Sequence, residues 1–138
     1  MAFECGALGC SGGKTALECL HHLLAYLQAE DSDVSPGAIR EGEGWAASRI
    51  QVARPGEAIV EQYVQVSVGG EIVDIYLESA REVLSGDDFQ GRDLMMTTVL
   101  SGVTDPVVND RIMAYALTEW RGVSWDETSG FTVPGSPD

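Results

Sequence analysis

Leucines recur at three- and four-residue intervals between residues 14 and 29, the spacing that places apolar side chains on one face of an α-helix. This pattern predicts an amphipathic helix over 14–29. A second helix is predicted over 106–121. Asp105 is a suitable N-cap for it, Pro106 suits its first position and Gly122 suits its C-terminal end. Its apolar stripe consists of Ile112, Met113, Ala116, Leu117 and Trp120.

Alternating apolar and polar residues predict a β-hairpin over 58–77. Its turn is Gly69-Gly70, a dipeptide that readily adopts the positive φ angles of a tight two-residue turn. If Val68 pairs with Glu71, the valines and isoleucines of both arms fall on one face. The turn residues and the alternation therefore agree on one register.

The remaining segments carry weaker patterns. They predict an irregular leader over 1–13, a loop over 31–47, a strand over 49–53, a short helix over 78–85 and an extended tail over 124–138. Residues 93–100 combine helix-favouring and strand-favouring residues, and a helix is preferred over a strand there. Together the elements predict a single α+β domain over 1–138. Its antiparallel sheet is built on the 58–77 hairpin and packs against an N-terminal and a C-terminal helix.

The net charge of the chain limits the classes of partner that it can bind. Among 138 residues, 8 Lys and Arg face 22 Asp and Glu, which gives a formal net charge of −14. Such a chain repels nucleic acids, membrane surfaces and anionic substrates, so we expect a protein partner and favour a basic one. The acidity fits a nucleic-acid mimic, and it also fits adaptation to a high-salt or high-GC host. Because the acids are scattered, adaptation is favoured.

The cysteines and the N-terminal residues predict a cellular setting. Cys5, Cys10 and Cys19 are an odd number of cysteines, which does not complete a disulfide framework. The first residues lack the basic and apolar regions of a secretory signal, and the apolar runs are too short to cross a bilayer. We therefore expect a cytoplasmic protein in a reducing setting, and a homo-oligomer is one option for its assembly state.

Residues 9–15, Gly-Cys-Ser-Gly-Gly-Lys-Thr, are similar to a phosphate-binding P-loop. That motif needs a glycine, four residues, and then Gly-Lys-Ser/Thr, so that backbone N–H groups wrap the phosphates. Leu8 occupies the position of the first glycine. The sequence therefore favours a flexible leader that is capped into a helix.

A zinc site is the second candidate for chemistry. Its ligands would be Cys5, Cys10, Cys19 and His22, of which the last two share one side of the predicted first helix. Neither a Cys-x-x-Cys pair nor a paired-histidine motif is present, so buried cysteines and an ordinary histidine are favoured. His21 and His22 are the only histidines, and no nucleophile motif accompanies them. We expect a non-enzymatic chain without a cofactor, and a small zinc-dependent enzyme is an alternative.

Aromatic residues near the C-terminus are the candidate partner-binding residues, since tyrosine and tryptophan are enriched at interfaces. They are Tyr115, Trp120, Trp125 and Phe131. The alternative is that Trp120 completes the core and that the two later residues cover its edge.

Residues 116–134 resemble a stretch that recurs in bacteriophage tail-assembly proteins. There a helix ends in Trp-x-Gly-Val, here at 120–123, and an acidic pair, a glycine turn and a proline follow. The resemblance implies a non-catalytic accessory protein of a phage or mobile element that binds an assembly component. An acidic, nucleic-acid-mimicking inhibitor of a defence or DNA-processing protein, of the anti-CRISPR kind, is the alternative binding function.

Overall fold

The computed structural model describes residues 3–84, 91–100 and 104–131, which form three helices and one seven-stranded sheet. The helices are α1 (Ala16–Glu30), α2 (Gly70–Ala80) and α3 (Pro106–Glu119). The strands are β1 (Phe3–Gly9), β2 (Val34–Gly42), β3 (Trp45–Val52), β4 (Val60–Val68), β5 (Leu94–Leu100), β6 (Val123–Asp126) and β7 (Gly130–Phe131). The strand order is β2-β3-β4-β5-β1-β6-β7 and every pairing is antiparallel. The predicted α+β class is confirmed.

The predicted N-terminal and C-terminal helices are present as α1 and α3. Thr15 caps α1, since its side chain accepts a hydrogen bond from the N–H of Glu18 while the Glu18 carboxylate accepts one from the N–H of Thr15. The Asp105 carboxylate caps α3 by accepting from the first backbone N–H groups of that helix. The buried stripes of both helices pack on the same face of the sheet, together with Ile50, Val64 and Met96 from the strands.

The predicted 58–77 hairpin is wrong in its second arm. Gly69 and Gly70 do adopt positive φ angles of 65° and 82°, but the chain then enters α2 instead of returning as a strand. Strand β4 pairs with β3 on one side and with β5 on the other, so it has no free edge for a hairpin partner. Residues 71–77 also fit a helical pattern, because Val73 and Leu77 are four residues apart.

Two further segments were predicted wrongly in the middle of the sheet. Residues 3–9 form strand β1, where an irregular leader was expected, and residues 94–100 form β5, where a helix was expected. Each lies between two other strands, so its backbone N–H and C=O groups are paired on both sides. Tertiary pairing outweighs the weak local preference of these segments.

Residues 34–42, predicted as part of a loop, form edge strand β2. The strand contains Pro36 and Gly37, and its register with β3 shifts between Pro36 and Ile39, as in a β-bulge. Proline and bulges are tolerated on edge strands, which explains why the sequence resembles a loop. The predicted strand at 49–53 lies largely within β3.

Only part of the predictions for the last segments falls on described residues. Helix α2 ends at Ala80, inside the short helix predicted over 78–85, and residue 85 lies outside the described ranges. Within the predicted tail, 124–126 and 130–131 belong to strands, while 132–138 are outside the described residues.

An ionic cluster joins the ends of four elements at the end of the sheet opposite residues 9–15. The guanidinium of Arg54 contacts the carboxylates of Asp31 at 2.6 Å, Asp33 at 3.1 Å and Asp105 at 3.1 Å. Arg111 adds a contact of 3.1 Å to Asp31. The cluster ties the C-terminal end of α1 to the start of β2, the residues after β3 and the N-cap of α3.

Within the described residues, no helix combines the length and the hydropathy that a membrane crossing requires.

Candidate functional site

Helix α2 lies on the face of the sheet opposite α1 and α3, and it covers only part of that face. Val73 and Ala80 on its inner side belong to a second apolar cluster with Leu8, Met95 and Phe131. These partners come from β1, β5 and β7. The side chains of β2 and β3 on this face lie beside α2, whereas Tyr63, Gln65 and Ser67 of β4 border Ile72 at the N-terminal end of α2.

The outer side of α2 combines apolar and acidic side chains. Ile72 is 45% exposed and Ile75 is 65% exposed, although both are large aliphatic residues. Glu71, Asp74 and Glu78 are exposed around them, at helical intervals of three and four residues. We call these five residues the acidic–aliphatic face. Exposed apolar residues framed by polar ones are typical of protein-binding surfaces.

The uncovered part of the sheet carries mainly polar and aromatic side chains. We call it the open sheet face. It is lined by Arg40 of β2, by Trp45, Ala47, Arg49 and Gln51 of β3, and by Glu61, Tyr63, Gln65 and Ser67 of β4.

Hydrogen bonds order the centre of the open sheet face. The Tyr63 hydroxyl donates to Gln65 Oε1 at 2.7 Å, and Gln65 Nε2 donates to Ser67 Oγ at 3.5 Å. The Arg49 guanidinium carbon lies 5.8 Å from the centre of the Tyr63 ring, within cation–π distance. Gln65 thus holds the tyrosine at its hydroxyl, and Arg49 lies over one face of its ring.

Two adjoining concavities follow the open sheet face towards α2. One, of about 310 Å³, lies at the β2 bulge and is bounded by Arg40, Arg49 and Tyr63. The other, of about 260 Å³, shares Arg40 and Tyr63 with the first and reaches Ile72 of α2 beside Trp45. The open sheet face and the acidic–aliphatic face therefore meet at Ile72.

The predicted partner-binding aromatic residues all pack within the chain. Trp120 is only 5% exposed and belongs to the main core, where Tyr115 packs edge-on against it at a centroid distance of 5.2 Å. Phe131 is 7% exposed, and Trp125 lies between it and Tyr76 of α2, with a centroid distance of 5.2 Å to the tyrosine. Contact of Tyr115, Trp120, Trp125 or Phe131 with a partner stays a prediction.

The four predicted metal ligands are not brought together. Cys5 and Cys19 are buried, Cys10 is partly buried, and His22 is on the exposed side of α1. Across residues 3–84, 91–100 and 104–131, no group of three or more His, Cys, Asp or Glu side chains is arranged to hold a metal ion.

The two buried thiols are poorly suited to nucleophilic chemistry. Burial raises the pKa of Cys19 to about 11. Burial, and then the negative charges of Asp126 and Glu4, also raise the pKa of Cys5. Since the thiolate is the reactive form, a raised pKa opposes nucleophilic catalysis.

The P-loop-like segment follows a buried strand, β1, which the sequence did not indicate, and it leads directly into α1. Five of its backbone N–H groups, at residues 10, 11, 13, 14 and 15, are nevertheless already bonded within the chain. The N–H of Ser11 donates to Asp93 Oδ1 at 2.8 Å and its hydroxyl to Asp93 Oδ2 at 2.6 Å, while the N–H of Gly13 donates to Ser11 Oγ at 3.2 Å. The N–H of Thr15 donates to Glu18 at 3.1 Å.

Internal carboxylates therefore take the place that a phosphate has in a P-loop. Asp93 accepts from the loop, and Glu18 accepts at the helix N-terminus. Both groups are negative and would repel a phosphate. The structure thus explains the resemblance as a loop that is held by its own acids.

Comparison of the chain with protein-family models, with curated proteins and with solved structures finds no significant match.

Sequence reasoning missed both surfaces for identifiable reasons. Ile75 was assigned to the inner face of a hairpin, and Arg40 was assigned to a loop. The spacing of Glu71, Asp74 and Glu78 by three and four residues was a readable helical signal, which the alternation of the neighbouring valines and isoleucines obscured.

Proposed function

We propose that the chain is a non-enzymatic protein-binding domain that contacts a basic partner through the acidic–aliphatic face of α2. One observation carries this proposal: Ile72 and Ile75 are exposed beside a row of three carboxylates on a helix that packs through its other side. Burial of two isoleucines supplies apolar contact, and the carboxylates select a partner with the opposite charge.

The chemistry of the partner follows from the layout of the surface. Glu71, Asp74 and Glu78 form a row along α2, with the isoleucines beside it. A partner segment with Lys or Arg on one side and apolar residues on the other would match both features. The net charge of −14 accelerates the encounter with such a segment.

The placement of the reactive residues supports a non-enzymatic function. His21 and His22 lie on the exposed side of α1, whereas Cys5 and Cys19 are buried. A thiol and an imidazole must lie within hydrogen-bonding distance to act as nucleophile and base. The opposite exposure of these thiols and the histidines, with the raised pKa values of Cys5 and Cys19, disfavours catalysis by these two cysteines.

An accessory role in a phage or mobile element rests on the resemblance of residues 116–134 to tail-assembly proteins. The genes beside this one would test it. Virion genes would support an assembly role, and defence genes would support inhibition instead.

A nucleic-acid mimic is the second candidate function. The observation that favours it is the row of Glu71, Asp74 and Glu78, which repeats a negative charge at about one helical turn. A mimic depends on the carboxylates, whereas an apolar interface also depends on Ile72 and Ile75.

The proposal is tested by capture of proteins from the source cells on the immobilised chain. Wild type is compared with the double variant Ile72→Ser/Ile75→Ser and with the triple variant Glu71→Gln/Asp74→Asn/Glu78→Gln. We expect a basic protein that wild type retains and that both variants lose by at least about tenfold, since 1.4 kcal/mol corresponds to tenfold in affinity. Quantitative mass spectrometry measures the retained amounts.

The matched control is Ile59→Ser, because Ile59 is also exposed but lies away from α2. This variant should retain the partner as wild type does. Equal loss with Ile59→Ser, or equal retention by all variants, contradicts the proposal. Two results together would support the mimic instead: only the carboxylate variant loses the partner, and binding of the partner to wild type disappears in 0.5 M salt.

A further inference from the structure

Two arginines of the open sheet face have no carboxylate partner among the described residues, which is unexpected in so acidic a chain. The sequence holds 22 acidic residues and 8 basic ones. Among the described residues, the salt bridges involve Arg54 and Arg111, and neither Arg40 nor Arg49 has a carboxylate oxygen within 4.0 Å. Both guanidinium groups are thus available to a ligand.

The two arginines border the concavity of about 310 Å³ at the β2 bulge, which we call the bulge pocket. Small residues make room for it, namely Gly37, Ala38 and Ala47. Gly37 is required by the bulge itself, since a Cβ there would lie 2.4 Å from the carbonyl oxygen of Arg49. The pocket is therefore a consequence of the backbone geometry and not of side-chain positions alone.

The pocket also has a flat aromatic boundary. The Tyr63 ring faces the Arg49 guanidinium, and its hydroxyl is held by Gln65. An aromatic face and a guanidinium that are already ordered lose less conformational entropy when they bind a ligand. Among the described residues that bound the pocket, Glu61 is the one acidic residue, and it opposes an anion there.

We propose that the bulge pocket binds the carboxylate of a small organic acid with a flat body, through Arg40 and Arg49 and against the ring of Tyr63. The planar fork of arginine donates two parallel hydrogen bonds to a carboxylate. A volume of about 310 Å³ is at the lower end of small-molecule pockets, which span roughly 300–1,000 Å³. This site is independent of the protein-binding function of α2.

The net charge of the chain determines which anions can use the pocket. A polyanion such as a nucleic acid would face the repulsion of the whole molecule, whereas a single carboxylate needs to satisfy only its local partners. Two arginines against one glutamate leave a local excess of positive charge in the pocket. The charge thus favours a ligand with one small anionic group over a polyanion, and contact of the flat body with Tyr63 distinguishes that ligand from inorganic phosphate.

The proposal is tested with benzoate as the probe, by NMR titration of the full ¹⁵N-labelled chain. Benzamide, which has the same shape without the charge, is the matched ligand control, and inorganic phosphate is the anion control. We expect saturable shifts with benzoate at the backbone amides of four residues that line the pocket, Ala38, Arg49, Gln51 and Tyr63. Benzamide should cause no saturable shifts at these amides. Equimolar phosphate should not displace benzoate.

Variants assign the binding to the pocket. Arg40→Gln and Arg49→Gln should each weaken benzoate binding by about tenfold, the loss expected for a charge-assisted bidentate pair. Glu61→Gln should strengthen binding, a gain that an unfolded variant could not produce. Arg121→Gln removes the same charge at an exposed site outside the pocket and should leave the affinity unchanged.

Several results would overturn the proposal. They are an absence of saturable shifts with benzoate, equal binding of benzamide, displacement by equimolar phosphate, and a loss with Arg121→Gln as large as with Arg49→Gln. The spectrum of each variant reports whether it is folded. If Arg49→Gln does not fold, Arg40→Gln and Glu61→Gln decide the outcome.

Discussion

The two faces of the sheet differ in what covers them. One face is covered by α1 and α3, whose leucines, isoleucine and alanines form the main core with the strands. The other face is covered by the single helix α2 over β5, β1, β6 and β7, while the open sheet face carries arginines and aromatic residues. One face of this sheet is therefore covered and stabilises the fold, whereas the part of the other face that α2 leaves uncovered is available for binding.

Strand β4 shows how one segment supplies both faces. Val60, Val64 and Val66 point to the main core, whereas Tyr63 and Gln65, between them in sequence, lie on the open sheet face. Successive side chains of a strand point to opposite faces, so alternation is what a sheet with one uncovered face requires.

The largest expected difference between the two faces is in the free energy of unfolding after a side chain is truncated. Leu23 of α1 is fully buried, and Leu23→Ala should lower the free energy of unfolding by about 3 kcal/mol, because it leaves a cavity in the core. Ile75→Ala on the outer side of α2 should change it by less than about 0.5 kcal/mol. Urea denaturation measures both free energies. Similar losses would mean that Ile75 is packed within the fold and not exposed for binding.

The second prediction compares arginines. Arg54→Ala leaves the carboxylates of Asp31, Asp33 and Asp105 close together without their shared guanidinium. In wild type the hydrogen bonds to these carboxylates, first of all to Asp31, raise the pKa of Arg54. We expect a fall in Tm on the order of 5 °C or more. Arg49→Ala on the open sheet face should leave Tm within about 2 °C. Calorimetry checks both, and an equal fall would show that Arg49 is also structural.

The third prediction concerns the loss of stability at low pH through Asp31 and Asp105. Hydrogen bonds from Arg54 lower the pKa of Asp31. For Asp105 burial acts in the opposite direction, but Arg54 and the backbone N–H groups of α3 outweigh it and lower the pKa. A carboxylate with a lowered folded pKa stabilises the fold fully above its unfolded pKa of about 3.9, and this contribution is lost as the pH falls through the folded pKa.

We therefore expect the Tm of wild type to fall on acidification below about pH 4, and to fall less steeply in Arg54→Gln, in which the two pKa values return towards the unfolded value. Thermal melts between pH 5 and pH 2.5 measure the slope. Parallel slopes in the two proteins would assign the acid sensitivity to other carboxylates.

Local patterns predicted the elements that are stabilised by their own residues. The α1 helix has a leucine stripe and a complete capping box, and α3 has Asp105 and Pro106 at its start. Such signals are short-range and can be read directly from neighbouring positions. The positive φ angles of Gly69 and Gly70 were also predictable, although the element that follows them was not.

The candidate sites were much harder to predict. The bulge pocket joins residues from β2, β3 and β4, and the first of these strands looked like a loop because it contains Pro36 and Gly37. The aromatic residues near the C-terminus were visible in the sequence, but burial places Trp120 and Phe131 inside the molecule. A pattern shows that a residue is apolar, and it does not show whether a neighbouring element covers it.

By itself, the sequence determined the class of the fold, the two capped helices and the acidity of the surface, since each depends on composition or on residues a few positions apart. Only the tertiary structure decided that 3–9 and 94–100 are central strands, that 70–80 is a helix, and that the β2–β4 half of the sheet is open on one side. Those features depend on pairing and burial between distant segments, whose free energies exceed the local preferences of the residues involved.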